Sequence, residues 1–301
     1  MGITSKRKVS FCSAWAKQLS SPIGFIDVGS GGPLKHPWDL IPPACIKKFD
    51  FEPTSGQDPL CISDRSTNAD FFVALDERSS SLHSPSKEYM DWFGDLTVST
   101  KKILRVRLDT LDKLFLNNTD IDCIDINAEG HDYFVLKGAG RLFEHNFIKL
   151  VKVEFELTNV WQGQAWFGDI DSWMRHRGYD LGDIDMEFKR PLNAAGILHR
   201  GEPVWGKAYY VPSISRTLKV PSDTTTKDHV LKSILLYVIF DMPGRAFDLI
   251  ERYGTMLDKE GINSKETVKK ITSIYKFVKV DQYGRKILNK SKGLSKLLKV
   301  G

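Results

Sequence analysis

Short apolar runs recur along the chain, separated by stretches of helical spacing, and most runs end on an acid or a polar residue. In the first, Phe25, Ile26 and Val28 are strand formers, and Gly29, Gly31 and Gly32 follow at once. Residues 48–52 alternate and stop at Pro53, which predicts a second strand ending on Glu52. Further strands are predicted at 60–62, 71–75, 103–108, 121–127, 150–156, 179–184 and 207–211. Leu108, Leu111, Leu114 and Phe115 have helical spacing, and residues 133–143 read as a helix with Phe134, Leu136 and Leu142 inward. Residues 169–177 form a helix with acids in the first turn and basic residues in the last, closed by Gly178. Residues 79–86 read as a solvated Ser/Pro loop, or as a loop over a bound ligand. Strands alternating with helices predict an open, mostly parallel α/β sheet, with ligands beyond the carboxyl ends of the strands.

The pattern changes at both ends. Residues 1–22 read as a polar lead-in with a short helix near 14–19. Residues 23–212 form the α/β domain and 213–227 a polar linker. Residues 228–301 form a helical, basic C-terminal region, with helices at 229–240 and 243–253 broken by Pro243.

Composition narrows the class. A chain of 301 residues, 41% hydrophobic with 17 Phe, builds a real core. Cys12, Cys45, Cys61 and Cys123 form no C-x-x-C pair, the pattern of a reduced, cytoplasmic protein without a zinc site. The histidines show no helical i, i+4 metal spacing, so no metal is expected. No apolar run is long enough for a transmembrane segment. The N-terminal Lys6, Arg7 and Lys8 precede too short an apolar stretch for a signal peptide, and Lys6 departs from a myristoylation pattern. Net charge is +5, but residues 258–301 carry twelve Lys/Arg against four Asp/Glu, leaving about −3 on the rest. The main domain is therefore not built to bind a polyanion.

A glycine turn after the first strand, with an acid closing the second 25 residues beyond Asp27, is a general nucleoside-binding arrangement. The acid accepts hydrogen bonds from ribose hydroxyls. Leu34 stands where a dinucleotide fingerprint would need its third glycine, and there is no P-loop lysine.

The motifs in order resemble the FkbM family of S-adenosylmethionine (SAM)-dependent methyltransferases. The first is Asp27-Val-Gly-Ser-Gly-Gly32 with Trp38 after it, followed by Phe51-Glu52-Pro53, Ile62-Ser63-Asp64, and Ser80-Ser81-Leu82 with Pro85. Then come Val106 to Asp109 with Leu111, Asp125-Ile-Asn-Ala-Glu-Gly-His-Asp132, and Val135-Leu-Lys-Gly-Ala139. Glu154-Phe155, Trp161 to Gln164 and Arg177-Gly-Tyr179 complete the series, which covers about 23–211. Asp125 stands at the family's lysine and Asn127 at its aspartate. The resemblance implies a Rossmann-like class I methyltransferase sheet and SAM as cofactor. It implies O-methylation of a hydroxyl on a small molecule or glycan.

On this reading Asp27, Gly29, Ser30, Gly31, Glu52 and Asn127 line the cofactor. An alcohol acceptor also needs a base, and His131 and Glu129 are the candidates, His131 first because it titrates near neutrality. Trp161 and Trp166 are candidates for an aromatic wall, or for core packing. In the tail, Ile287, Leu288, Leu294, Leu297 and Leu298 fall near one helical face among lysines, which would suit an anionic surface or partner, or a solvated helix. Two other functions stay open: a SAM-fold interaction module without turnover, motivated by Asp125 and Asn127, and a nucleic-acid-associated methyltransferase, motivated by the basic tail.

Overall fold

The computed structural model describes residues 3–29, 32–53, 60–115, 120–194, 196–219 and 227–275. After helix α1 (Ile3–Ala16) come strands β1 (Ile23–Val28), β2 (Ile46–Phe51), β3 (Leu60–Ile62) and β4 (Thr67–Ala74), then helix α2 (Lys87–Phe93). Strand β5 (Thr100–Asp109), α3 (Leu111–Phe115), β6 (Cys123–Ile126), α4 (Asp132–Lys137), α5 (Gly140–His145) and β7 (Leu150–Glu156) follow. Next are α6 (Phe167–His176), β8 (Tyr179–Lys189), β9 (Glu202–Pro212) and α7 (Ile214–Lys219). The last helices are α8 (Lys227–Ile239), α9 (Pro243–Lys259) and α10 (Ser264–Ile274).

The chain divides into two compact units. One holds the described residues of 22–34 and 46–224, the other those of 1–21, 35–45 and 225–301.

The first unit carries a six-stranded sheet in the order β2-β1-β6-β7-β9-β8. Strands β2, β1, β6 and β7 are parallel neighbours, but β9 runs antiparallel to both β7 and β8. The sheet is therefore mixed, which corrects the expectation of a mostly parallel one. The physical reason is the connection: no crossover helix lies between β8 and β9, so they pair antiparallel, and β9 fills the place beside β7. This mixed α/β arrangement is consistent with a methyltransferase fold. A second sheet has the order β3-β5-β4, with β3 parallel and β4 antiparallel to β5.

Alternation along the strands divides the faces of the large sheet. Ile26, Val28, Ile124, Ile126, Val151, Val153 and Phe155 share the main core with Leu111, Phe115, Val135, Leu142, Ile170 and Met174 of the helices. The intervening positions carry Asp27, Asp125, Lys152 and Glu154.

The helix expected over 133–143 is two helices, α4 and α5, broken at Gly138 and Ala139. A Cβ at Gly138 would lie 2.0 Å from the Ser63 carbonyl oxygen, so the break lets the turn after β3 pack against the backbone. Leu108 belongs to β5 rather than to a helix with Leu111, and α7 lies within the stretch read as linker. Residues 79–86 are not a solvated loop: Ser80, Ser81 and Ser86 are buried, Phe72 pairs with Ser81, and Ser86 caps α2.

In the other unit, α8 is apolar on nearly all sides and buried from Val230 to Ile239, the pattern of a central helix. Helix α1 packs on it, and the Trp15 indole N–H donates to the Leu231 carbonyl at 3.0 Å. The polar lead-in thus contains a full helix whose Phe11, Cys12 and Trp15 are buried. No helix among the described residues is long and apolar enough to cross a membrane. The tail positions Ile287 to Leu298 lie outside the described residues.

Candidate functional site

The carboxyl ends of β2, β1 and β6 stand side by side. The Gly29 N–H donates to the Phe51 carbonyl at 2.9 Å, and the Asn127 N–H donates to the Val28 carbonyl at 2.8 Å. Gly29, Glu52 and Asn127 are thereby brought together just beyond three neighbouring strands. Gly29 has φ +85, and a Cβ there would fall 2.0 Å from the Asn127 carbonyl oxygen, so only glycine fits. Ser30 and Gly31 lie outside the described residues.

Asp27 is one pleat back, buried, and ion-paired with Lys48 at 2.8 Å; Lys48 also holds Asp50 at 3.0 Å. On β6, Asp125 pairs at 2.7 Å with Lys152 of β7, its partner in register. The acid standing at the resembled family's lysine is thus matched by a cation on the next strand. The other Asp125 oxygen, Oδ1, has no hydrogen-bond partner among the described residues and is fully enclosed. With its amide nitrogen turned toward β7, Asn127 donates to both Glu154 carboxylate oxygens, at 3.1 Å to Oε1.

The turn after β6 is built by Asp132, whose carboxylate accepts from the Ala128 N–H at 3.0 Å and the Gly130 N–H at 3.2 Å. Glu129 sits in the left-handed region at φ +51, unusual for a residue with a side chain. The Ser81 hydroxyl donates to its carbonyl at 2.6 Å. Gly130 follows at φ +84, where a Cβ would meet the Trp161 ring at 2.5 Å.

The turn sends its two candidate bases to different places. His131 is buried, stacks on Phe134 at 4.7 Å, and bridges Ser63 Oγ at 3.0 Å and His83 Nε2 at 3.0 Å. His83 Nδ1 lies 3.0 Å from the Gln162 carbonyl, which only accepts. That fixes the chain: His83 donates to Gln162, His131 Nδ1–H donates to His83, and the Ser63 hydroxyl donates to His131 Nε2. Burial, with His83 beside it, pushes the His131 imidazole down to about 3. His131, the first choice as base, is a neutral tie between the turn, β3 and the 79–86 segment.

Glu129 instead lines a cavity of about 260 Å³ with Glu154, Glu156, Tyr89, Trp161 and Trp205. Lys189 and Asp95 pair at the same cavity. Burial opposes ionisation of Asp95, but hydrogen bonds from Lys189, Thr97 and Tyr89 hold it down to about 2. Burial raises the pKa of Glu129, Glu154 and Glu156 above the usual carboxylate range, and the negative charges of neighbouring acids add to it. Trp161 belongs to this wall, whereas Trp166 is largely exposed beside α6. Sequence patterning did not point to Tyr89, Asp95, Glu156 or Trp205, since α2, β7 and β9 meet only in the folded chain. The one signal that could have found any of them is the place of Glu156 at the end of a cleanly alternating strand. No group of His, Cys, Asp and Glu among the described residues is placed to hold a metal.

Two candidate regions therefore meet at β6. Gly29, Glu52 and Asn127 lie past β1, β2 and β6. An acidic, aromatic cavity lies past β6, β7 and β9. No curated protein matches the chain. The β1 glycine turn precedes the segment that a family comparison recognises: residues 45–181 match the Methyltransferase FkbM domain, a match that supports a methyltransferase.

Proposed function

We infer that the chain is a SAM-dependent methyltransferase that acts on a hydroxyl of a small molecule or glycan, within a Rossmann-like class I domain. The convergence of Gly29, Glu52 and Asn127 at three adjacent strand ends carries the cofactor reading. The residues fit a nucleoside: Glu52 accepts from ribose hydroxyls, and Gly29 leaves backbone bare for close approach. Asn127, tied to Glu154, links this end to the acceptor cavity. Ser30 and Gly31 are assigned to the same cofactor site by the sequence motif they share with Gly29. Asp27 acts one layer back, through its pair with Lys48, as a positioning residue.

SAM, when bound, supplies an electrophilic methyl group. The chain's own work is to orient an acceptor oxygen toward it and to take its proton. Glu129 is the base in this reading. Its carboxylate lines the cavity, its backbone is held at an unusual φ, and its raised pKa makes it a stronger base than an ordinary carboxylate. A structure with S-adenosylhomocysteine tests the assignment. The expected result is the ribose on Glu52 and the nucleoside against Gly29. A nucleoside bound away from the β1, β2 and β6 ends would refute it.

A further inference from the structure

We propose that the acceptor bound in the Glu129–Glu154–Glu156 cavity carries a protonated amine on a single ring, as a hexosamine does. This deepens the methyltransferase reading and rests on the cavity being the acceptor end. Three glutamates converge there, and no cation is within ion-pairing distance of any of them among the described residues. The other acids of the lining are already matched: Asp95 has Lys189, and Asp76 has Arg78 at 2.7 Å. Glu154 has the Asn127 amide. Lys207 stands opposite Glu154 in register but makes no ion pair with it.

Glu156 is the telling group. It is 3% exposed, it lines the cavity, and its carboxylate is held by no other residue among those described. Only its own backbone N–H offsets the burial of this carboxylate, and an ammonium in the cavity would compensate it further. The rest of the lining is aromatic, with Trp205 the cross-strand neighbour of Glu156. Lys189 Nζ, paired with Asp95, already lies over the Tyr89 and Trp205 rings at 5.6 and 4.8 Å, which leaves Trp161 to meet a sugar ring. The volume, about 260 Å³, is below the roughly 300–1,000 Å³ of drug-sized ligand sites, which limits the occupant to one ring or one end of a longer acceptor. In this arrangement Glu156 and Glu154 hold the ammonium, leaving Glu129 for the neighbouring hydroxyl.

The test compares glucosamine with glucose, which puts a neutral hydroxyl in place of the ammonium, by calorimetric titration of the full chain near neutral pH. Glucosamine should bind at least about tenfold more tightly, a difference of about 1.4 kcal/mol. In Glu156→Gln, with an unchanged melting temperature, the preference should shrink to about twofold. Should that variant fail to fold, Glu154→Gln should weaken glucosamine severalfold. Equal affinities, binding of neither sugar, or a preference that survives both substitutions would overturn the proposal. A parallel titration with S-adenosylhomocysteine separates the two readings. A glucosamine preference without nucleoside binding keeps the amine site and removes the methyltransferase reading, whereas nucleoside binding without the preference does the reverse.

Discussion

Glu129 and His131 are two residues apart and have opposite fates. The left-handed backbone at Glu129 turns its side chain into the cavity, while His131 is locked between Ser63 and His83. Glu129→Gln should lower kcat by about 10²–10⁴-fold while leaving S-adenosylhomocysteine affinity unchanged. In the wild type the acid limb of kcat/KM should lie above the ordinary carboxylate range, and it should vanish in the variant. An unchanged limb would exclude Glu129 as the base. His131 shows itself in stability instead. Its folded pKa, about 3, is below the ordinary value, so its contribution is complete above about pH 6.5 and is lost as pH falls toward 3. His83, also lowered by burial, adds with the same sign. The loss approaches about 1.4 kcal/mol per pH unit for one such group. The melting temperature should therefore fall between pH 6.5 and 5, and fall less in His131→Asn. A variant that follows the same curve as wild type would contradict this.

Strands β6 and β7 meet through the Asp125–Lys152 pair, whose carboxylate is buried and which sits one pleat back from Asn127. Removing one partner leaves an uncompensated charge, so Lys152→Met should cost about 3–5 kcal/mol in denaturant unfolding. Adding Asp125→Leu should recover most of it, and a double variant no more stable than the single would show that the pair is not what Lys152 serves. The elements themselves were largely readable. Clean alternation in β7 and the acid-ended run of β2 gave those strands nearly at their observed limits. The two-helix break at Gly138 was not readable, because its cause is the Ser63 carbonyl, 75 residues earlier in the chain. The direction of β9 was hidden for a similar reason: apolar patterning says that a strand is buried, not which way it runs. The glycine turn and Glu52, on which the proposed cofactor end rests, were legible because both are local motifs. The proposed acceptor cavity is assembled from α2, β7, β9 and the turn after β6, so of its lining only Glu129, Glu154 and Trp161 were singled out from sequence.

Across the whole chain, the charge separation and the two units bear on different questions. The excess of twelve Lys/Arg over four Asp/Glu belongs to residues 258–301, while the candidate site lies entirely in the unit of residues 22–34 and 46–224. Cofactor binding on this account needs nothing from the basic tail, so it should depend little on salt. What it needs is the junction of β1, β2 and β6, and within it the Glu52 carboxylate. The most direct measurement is a calorimetric titration of S-adenosylhomocysteine into the full chain and into Glu52→Ala. Saturable binding in the wild type, weakened about tenfold or more in the variant as expected for a lost charged hydrogen bond, is the predicted result. No heat with millimolar nucleoside, or equal affinity in the two proteins, would contradict it.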